Sequence, residues 1–361
     1  MRTLEILTIR NFKSIRDQTL RLGPLNIFIG GNGSGKSNLI EVFRFLHEIV
    51  EQRLAMYTAI KGGADSLLYF GRRQSPAMSF SIEFGVGEPS RRYQIKLMGV
   101  DDDTLMITEE TVLSRENNQY IEGLIHPATV FSNESKLKEN KHFALVSAEL
   151  DSFLVYHFHD TSDVAAMKGT SDVDDNRFLR PQAENLAAFL YWLQEMRPEH
   201  MANIRDAIRQ IAPFFDEFRL EPLRLNPSKI RLEWKEKGSD MYFNASSLSD
   251  GTLRFICLAT LLLQPDLPPL ILLDEPELGL HPAAVTLLAS LLSSASTRTQ
   301  VLVATQSVTL VNQFEPEQVW TVDREDRQSV FRHLSRADMS GWLDDYALGE
   351  LWEKNVLGAR P

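Results

Sequence analysis

The stretch "GGNGSGKS" sets Gly30 and Gly35 at a fixed spacing ahead of Lys36 and Ser37, the pattern of a phosphate-binding loop. In such a loop backbone N–H groups cradle the phosphates, Lys36 reaches the β and γ oxygens, and the Ser37 hydroxyl can ligate Mg²⁺. A second stretch, "LILLDE", sets four apolar residues ahead of Asp274 and Glu275. A buried strand of this kind presents two carboxylates to one site: Asp274 would hold Mg²⁺ through its water shell, and Glu275 would orient or deprotonate the attacking water. Acidic residues that merely cap a strand would explain "DEPE" alone but not the loop upstream. Together the two stretches define a nucleoside triphosphatase. A third, "SLSDGTLRF", has the composition of a helix N-terminus, where unsatisfied N–H groups and the positive dipole end attract anions. In isolation it reads equally as an ordinary N-capped helix. It also poses a question, because one bound nucleotide does not need two phosphate clasps.

The surrounding elements must place these stretches. "LEILTI" and "PLNIFIG" read as strands, the second ending in the glycine loop. Leu39, Ile40, Phe43, Leu46, Ile49 and Val50 then recur at helical spacing, so an amphipathic helix points its N-terminus at the phosphates. "MSFSIEFGV", "RRYQIKLMGV" and "ETVLS" follow as strands of an antiparallel lobe, punctuated by "GEPS" and "DDDT". "FLVYHFHDTSD" ends a further strand in His157, His159 and Asp160. Alternation puts the two histidines on one face and Asp160 opposite, which favours a structural or nucleotide-proximal role over a metal triad. "NLAAFLYWLQEM" and "HMANIRDAIRQI" read as helices, and "KIRLEW" as a strand. An apolar helix follows "SLSDGT", and "LILLDE" and "TQVLVATQS" are strands joined by a crossover helix from Ala283 to Ser293. The expected organisation is a single head over 1–361: a phosphate-loop part (1–75), a β-rich lobe (76–160), a helical insertion (180–215), a part with the later motifs (225–325) and a C-terminal tail (326–361).

Composition narrows the function classes. A chain of 361 residues, 43% of them hydrophobic, can build a substantial α/β core. The net charge of -11 argues against a surface that binds nucleic acid everywhere by counterion release. It leaves local patches at Arg72 and Arg73, at Arg91–Lys96, and at Lys136, Lys138 and Lys141. With charges scattered through the first residues no secretory signal is expected, and the longest apolar run, Phe255–Leu263, is far shorter than a membrane span. A cytoplasmic location without membrane segments is therefore expected. Cys257, inside that run, reads as a small buried hydrophobe.

"IRNFKSI", "GGNGSGKSN", "LSDGTLR", "LLDEPELGLHP" and "ATQS", in this order, resemble the ATP-binding-cassette type ATPases of the SMC, RecF and OLD group, most of all its stand-alone bacterial AAA-type members. "VYHFHDTSD" and "LGELWEKNVLGARP" resemble that branch too. The resemblance implies an α/β fold, a P-loop NTPase of ABC/SMC-head type with a mixed central sheet, an antiparallel β lobe and a helical insertion. It implies ATP as substrate with Mg²⁺, and nucleotide contacts from Gly30, Asn32, Gly33, Ser34, Gly35, Lys36, Ser37 and Asn38, with Arg10 and Lys13 of "RNFKS" nearby. It also answers the question of the second clasp. In this group the signature of one subunit closes on the ATP held by the phosphate loop of another. Leu248, Ser249, Asp250, Gly251 and Thr252 would thus serve a partner's nucleotide in a head-to-tail homodimer, with Ser249 and the Gly251 N–H at the γ-phosphate.

The chain departs from the group's usual pattern in places. LSDGT lacks the second glycine and the glutamine of transport cassettes, and Gln306 stands where a switch histidine is usual. An amide can hydrogen-bond to the γ-phosphate or the attacking water but cannot take a proton, so slow or activator-dependent turnover is expected. "ELGLHP" falls at the family's subunit-contact loop, which gives His281 an interface role rather than a metal. The glutamine that links nucleotide to partner domain has Gln74 and the "HFHD" cluster as candidates. The function implied is a cytosolic ATPase whose ATP-driven dimerisation controls a DNA-related or anti-phage defence partner. Members of the group often work with a nuclease, and with roughly forty residues after the last expected strand none is expected in the same chain. The effector is therefore expected to be a separate chain, a nuclease among the candidates, with DNA an open question. One alternative is the ATPase subunit of a membrane transporter, against which "RNFKSI", the β-rich insertion and LSDGT all speak. Another is a nucleotide-gated switch that hardly hydrolyses ATP, against which intact Lys36, Ser37, Asp274 and Glu275 speak.

Overall fold

The computed structural model describes residues 3–85, 90–116, 119–126, 131–139, 143–339, 341–342 and 345–359. It falls into two compact units, the first built from Met1–Val155, Pro268–Leu272 and Thr299–Pro361, the second from Tyr156–Leu267 and Leu273–Arg298.

The first unit opens with β1 (Leu4–Phe12), β2 (Ile15–Arg21) and β3 (Leu25–Ile29), then α1 (Lys36–Val50), α2 (Leu54–Ile60) and α3 (Ala64–Leu67). β4 (Ala77–Phe84), β5 (Ser90–Gly99), β6 (Leu105–Glu116), β7 (Gln119–His126), α4 (Ala144–Asp151) and β8 (Val155–Tyr156) follow. One sheet is antiparallel throughout, in the order β2-β1-β4-β5-β6-β7. In β4 Met78, Phe80, Ile82 and Phe84 alternate onto the buried face, the period of a half-buried strand. Phe45 of α1 lies 5.5 Å from Phe12 and 5.6 Å from Phe80 between ring centroids, so the helical stripe read from the sequence packs on this sheet.

The second unit holds β9 (Thr170–Asp172), α5 (Leu186–Met196), α6 (Pro198–Ile211), β10 (Phe215–Arg219), β11 (Lys229–Arg231), β12 (Glu233–Glu236), β13 (Tyr242–Asn244) and α7 (Asp250–Leu263). "KIRLEW", expected as one strand, is two: β11 pairs with β9, and β12 with β10 and β13. The fully buried Leu232 between them is the point at which the chain changes sheets. α7 packs against α6 and against α8 (Pro282–Ser296). Cys257 is buried in α7, and burial pushes its thiol well above the usual range.

β14 (Leu270–Asp274) begins in the first unit and ends in the second. The chain then returns to the first unit with β15 (Gln300–Thr305), α9 (Val308–Val311), β16 (Val319–Glu325), β17 (Gln328–His333) and α10 (Leu348–Glu353). The second six-stranded sheet runs β17-β16-β3-β15-β14-β8, with β3 parallel to both β15 and β16 and buried at all five residues. Such a strand reads as an apolar run because both faces are covered. The Gln300 amide accepts from the Leu4 N–H at 3.0 Å and donates to the carbonyls of Leu4 and Gly23 at 2.7 and 2.9 Å, tying the first strands to β15. The strand expected to run into the "HFHD" cluster stops at Tyr156, yet the rings of His157 and His159 do lie together, 4.1 Å apart.

Candidate nucleotide site

The glycine loop joins β3 to α1 and is shaped by its neighbours. A Cβ at Gly30 would collide with the Val322 carbonyl of β16, and one at Gly35 with the Ser329 side chain of β17. Gly35 also sits at φ 118 and Gly33 at φ 76, conformations that glycine adopts without a steric cost. No side chain caps α1, so its first-turn N–H groups remain available to an anion at the positive end of the helix dipole. Lys36 is 5% exposed, and its Nζ donates to the carbonyls of Gly30 at 2.5 Å and Gly31 at 3.1 Å. The ammonium is thereby folded over the loop. Ser37 and Asn32 face solvent. The Ser34 Oγ is buried and has no hydrogen-bond partner among the described residues.

A network of short side chains holds the loop. Asn38 Nδ2 donates to Ser14 Oγ at 2.7 Å, Ser14 Oγ pairs with Ser329 Oγ at 2.6 Å, and Ser329 Oγ donates to the Ser34 carbonyl at 2.5 Å. Thr305 is in register with Ile29, so Gln306 leaves the sheet edge beside Gly30. The structure thus brings Gln306, Asn38 and the loop to one edge. Lys13, at φ 49, lines a cleft with Ser14 and Asn38. Its Nζ is 3.9 Å from Glu41, and partial burial lowers its pKa despite that carboxylate. Arg10 lies elsewhere: it lines a separate cleft over the outer face of β1, β4 and β5 and pairs with Asp17 at 3.4 Å.

In the second unit Asp274 closes β14, and Glu275 follows at φ 45, a left-handed conformation unusual for a glutamate. The Glu275 carbonyl is 3.1 Å from Nε2 of His159. Ser249 caps α7 by accepting from the Thr252 N–H at 3.2 Å, so locally the signature is an N-capped helix; Leu248 is buried, and Asp250 is exposed in the first turn. Arg254, one turn on, donates to the carbonyls of Phe158 at 3.2 Å, His159 at 2.8 Å and Leu278 at 2.6 Å. One guanidinium therefore binds the signature helix, the histidine pair and the "ELGL" loop. Gly251 is required at this junction, since a Cβ there would stand 2.6 Å from the Gly279 carbonyl. Gly251→Ala is expected to cost about 1–3 kcal/mol, measured by urea unfolding, because the obstacle is backbone. A variant as stable as wild type would show that the loop yields freely. His281 caps α8, its Nδ1 accepting from the Ala283 N–H at 3.3 Å, which leaves Nε2 protonated in the neutral ring.

Several basic candidates are met by carboxylates: Arg91 by Glu149, Arg92 by Glu83 and Lys138 by Glu51 and Asp151. Lys141 lies outside the described residues. Arg72 pairs with Asp65 at 3.0 Å, while Arg73 lines the Lys13 cleft, as Arg72 also does; Gln74 follows in the same turn. Sequence reasoning missed Ser14, Ser329 and Arg254. The first two are bonded across about three hundred residues; Ser14 lies inside "IRNFKSI", but nothing local in the sequence announces its pairing with Ser329. Arg254 stands inside a quoted motif, but its carbonyl partners are invisible in sequence.

A strand–loop–helix phosphate cradle on a parallel strand, beside an antiparallel sheet, defines a P-loop NTPase with the SMC-head fold. The chain belongs to the family described as "AAA domain, putative AbiEii toxin, Type IV TA system", which matches residues 25–312. It is 24% identical over 217 residues to the DNA replication and repair protein RecF of Renibacterium salmoninarum, and 25% identical over 217 residues to that of Paenarthrobacter aurescens, in each case over 54% of this chain. The chain spans about half the length of these curated relatives, 53% and 52%. Among solved structures, an SMC head bound to the C-terminal winged-helix domain of ScpA matches 92% of this chain and 98% of its own, with TM-score 0.61 and 16% identity. The Pyrococcus furiosus SMC head with an extended coiled coil, bound to the C-terminal domain of ScpA, matches 95% and 99%, with TM-score 0.60 and 16% identity. The chain is an SMC/RecF-like ATPase by family. Among the described residues no helix is long and apolar enough to cross a membrane.

Proposed function

We propose that the protein binds ATP at the Gly30–Ser37 loop, hydrolyses it with Mg²⁺, and uses the cycle to form and release a head-to-tail homodimer that controls a separate effector. The observation carrying this reading is Lys36, buried and held by the carbonyls of Gly30 and Gly31 beneath an uncapped α1 N-terminus. An anion entering there gains the first-turn N–H groups and the ammonium together. The exposed Ser37 suits Mg²⁺, which prefers oxygen ligands and retains water, and the "LILLDE" motif offers Asp274 for the same ion. It would offset charge on the β and γ oxygens. Glu275 orients or deprotonates the attacking water, and Gln306 hydrogen-bonds to that water or the γ-phosphate.

The signature supports the dimer. Ser249 and Gly251 stand at the N-terminus of a second helix, suited to the γ-phosphate held by another copy. The heads among its structural neighbours carry a bound partner domain, and the RecF relatives are named for DNA replication and repair, which favours a DNA-related or defence effector, a nuclease among them, supplied in trans. The test is subunit mixing. Lys36→Ala and Ser249→Arg, each inactive alone, are expected to recover up to about a quarter of wild-type ATPase when mixed at equal amounts, the share of sites that pair two intact halves after free exchange in a closed two-fold dimer. No recovery from an active wild type that exchanges subunits would sink the composite site.

A further inference from the structure

In the first unit a cleft of 680 Å³, within the range of small-molecule sites, is lined by Lys13, Asn38, Phe70, Arg73, Arg324 and Arg327 among others. Asn38 is two residues beyond Lys36, so the cleft begins where a phosphate chain seated over the first turn of α1 would leave the loop. Arg324 Nη1 reaches the Gly33 carbonyl at 3.5 Å, tying the β16–β17 hairpin to the loop. At the hairpin tip the Arg327 guanidinium lies 4.4 Å from the centroid of the Phe70 ring.

The backbone around this pair is costly. Asp326 and Arg327, the two residues of the turn, sit at φ 45 and φ 68, the left-handed pair of a hairpin whose second position favours glycine. Phe70, at φ 55, is 40% exposed, and Lys13 at φ 49 lines the same cleft. Left-handed non-glycine residues with accessible side chains gather at ligand sites, where the side chain is worth the strain.

We propose that Phe70 and Arg327 form the stacking platform for the purine base of the bound nucleoside triphosphate, while Lys13 and Asn38 border its phosphate end. The proposal rests on the reading of the Gly30–Ser37 loop as a nucleotide site. A guanidinium backed by an aromatic ring offers a flat cationic surface that suits the electron-rich face of a purine, and Lys13, Arg73, Arg324 and Arg327, beside the Arg72–Asp65 pair of the same cleft, suit a polyanionic nucleotide.

The test compares a non-hydrolysable ATP analogue with inorganic tripolyphosphate by calorimetry, for wild type, Arg327→Lys and Phe70→Leu, with Mg²⁺ present. Arg327→Lys keeps the charge and loses the plane; Phe70→Leu keeps apolar bulk and loses the ring. Each is expected to weaken the analogue about ten-fold, the scale of base stacking, and to leave tripolyphosphate unchanged. Equal weakening of both ligands would assign the pair to phosphates or to the fold, and no weakening of either would also overturn the platform. Reduced binding of a single-stranded oligonucleotide with the ATP analogue untouched would hand the cleft to nucleic acid and overturn it too. Wild type that binds neither analogue nor tripolyphosphate would defeat the nucleotide reading itself.

Discussion

Lys36→Ala is expected to lower ATP turnover about 100- to 1,000-fold, the cost of removing one preorganised donor to a developing charge. The lysine is 5% exposed and already held over the loop by two carbonyls, so little reorganisation separates its resting position from the phosphate oxygens. The same substitution strips the buried Gly30 carbonyl and the half-buried Gly31 carbonyl of their donor, which loosens the loop as well. Lys36→Gln, which keeps an N–H donor for the carbonyls but loses the charge, separates the two effects: turnover should fall as far, with thermal stability closer to wild type. Turnover near wild type in both would remove the loop from the chemistry.

Glu275→Gln should cut hydrolysis about 100- to 10,000-fold, the usual worth of general base catalysis, while ATP still binds. The amide preserves size and polarity, and the left-handed backbone at φ 45, with the His159 ring on its carbonyl, is kept because both depend on the main chain. With hydrolysis blocked, ATP should accumulate a species of doubled mass in light scattering, reversed by removing the nucleotide. A variant that hydrolyses ATP like wild type would displace Glu275 from its role, and the carboxylate of Asp274 would be the next to test.

The loop, its helix and the parallel strands were legible because each is announced locally: a glycine spacing, a 3.6-residue stripe through Leu39, Phe43 and Leu46, and mostly apolar runs in β3 and β15. The break in "KIRLEW" was not, because Leu232 is apolar on either reading and only the partner strands β9 and β10 decide it. The reach of the strand into "HFHD" was overestimated for the same reason: the β-favouring Phe158 follows Tyr156, where the pairing stops. Arg10 and Lys13 share one quoted motif and occupy different clefts, because between them β1 ends at Phe12 and the chain turns at Lys13. The least visible part was what fixes the loop, since Ser14 and Ser329 gain meaning only when strands from opposite ends of the chain meet.

That meeting sets a timetable for biosynthesis. The glycine loop leaves the ribosome early, but the carbonyl of Val322 that packs on Gly30 and the Ser329 hydroxyl that grips Ser34 come nearly three hundred residues later. At about 5–20 residues per second, the nascent loop waits some tens of seconds for its support. During that interval β3, apolar at four of five positions, lacks both parallel neighbours, β15 and β16, and exposes two unpaired edges. The loop takes its final shape only once β16 and β17 have been made, and until then β3 offers two open strand edges.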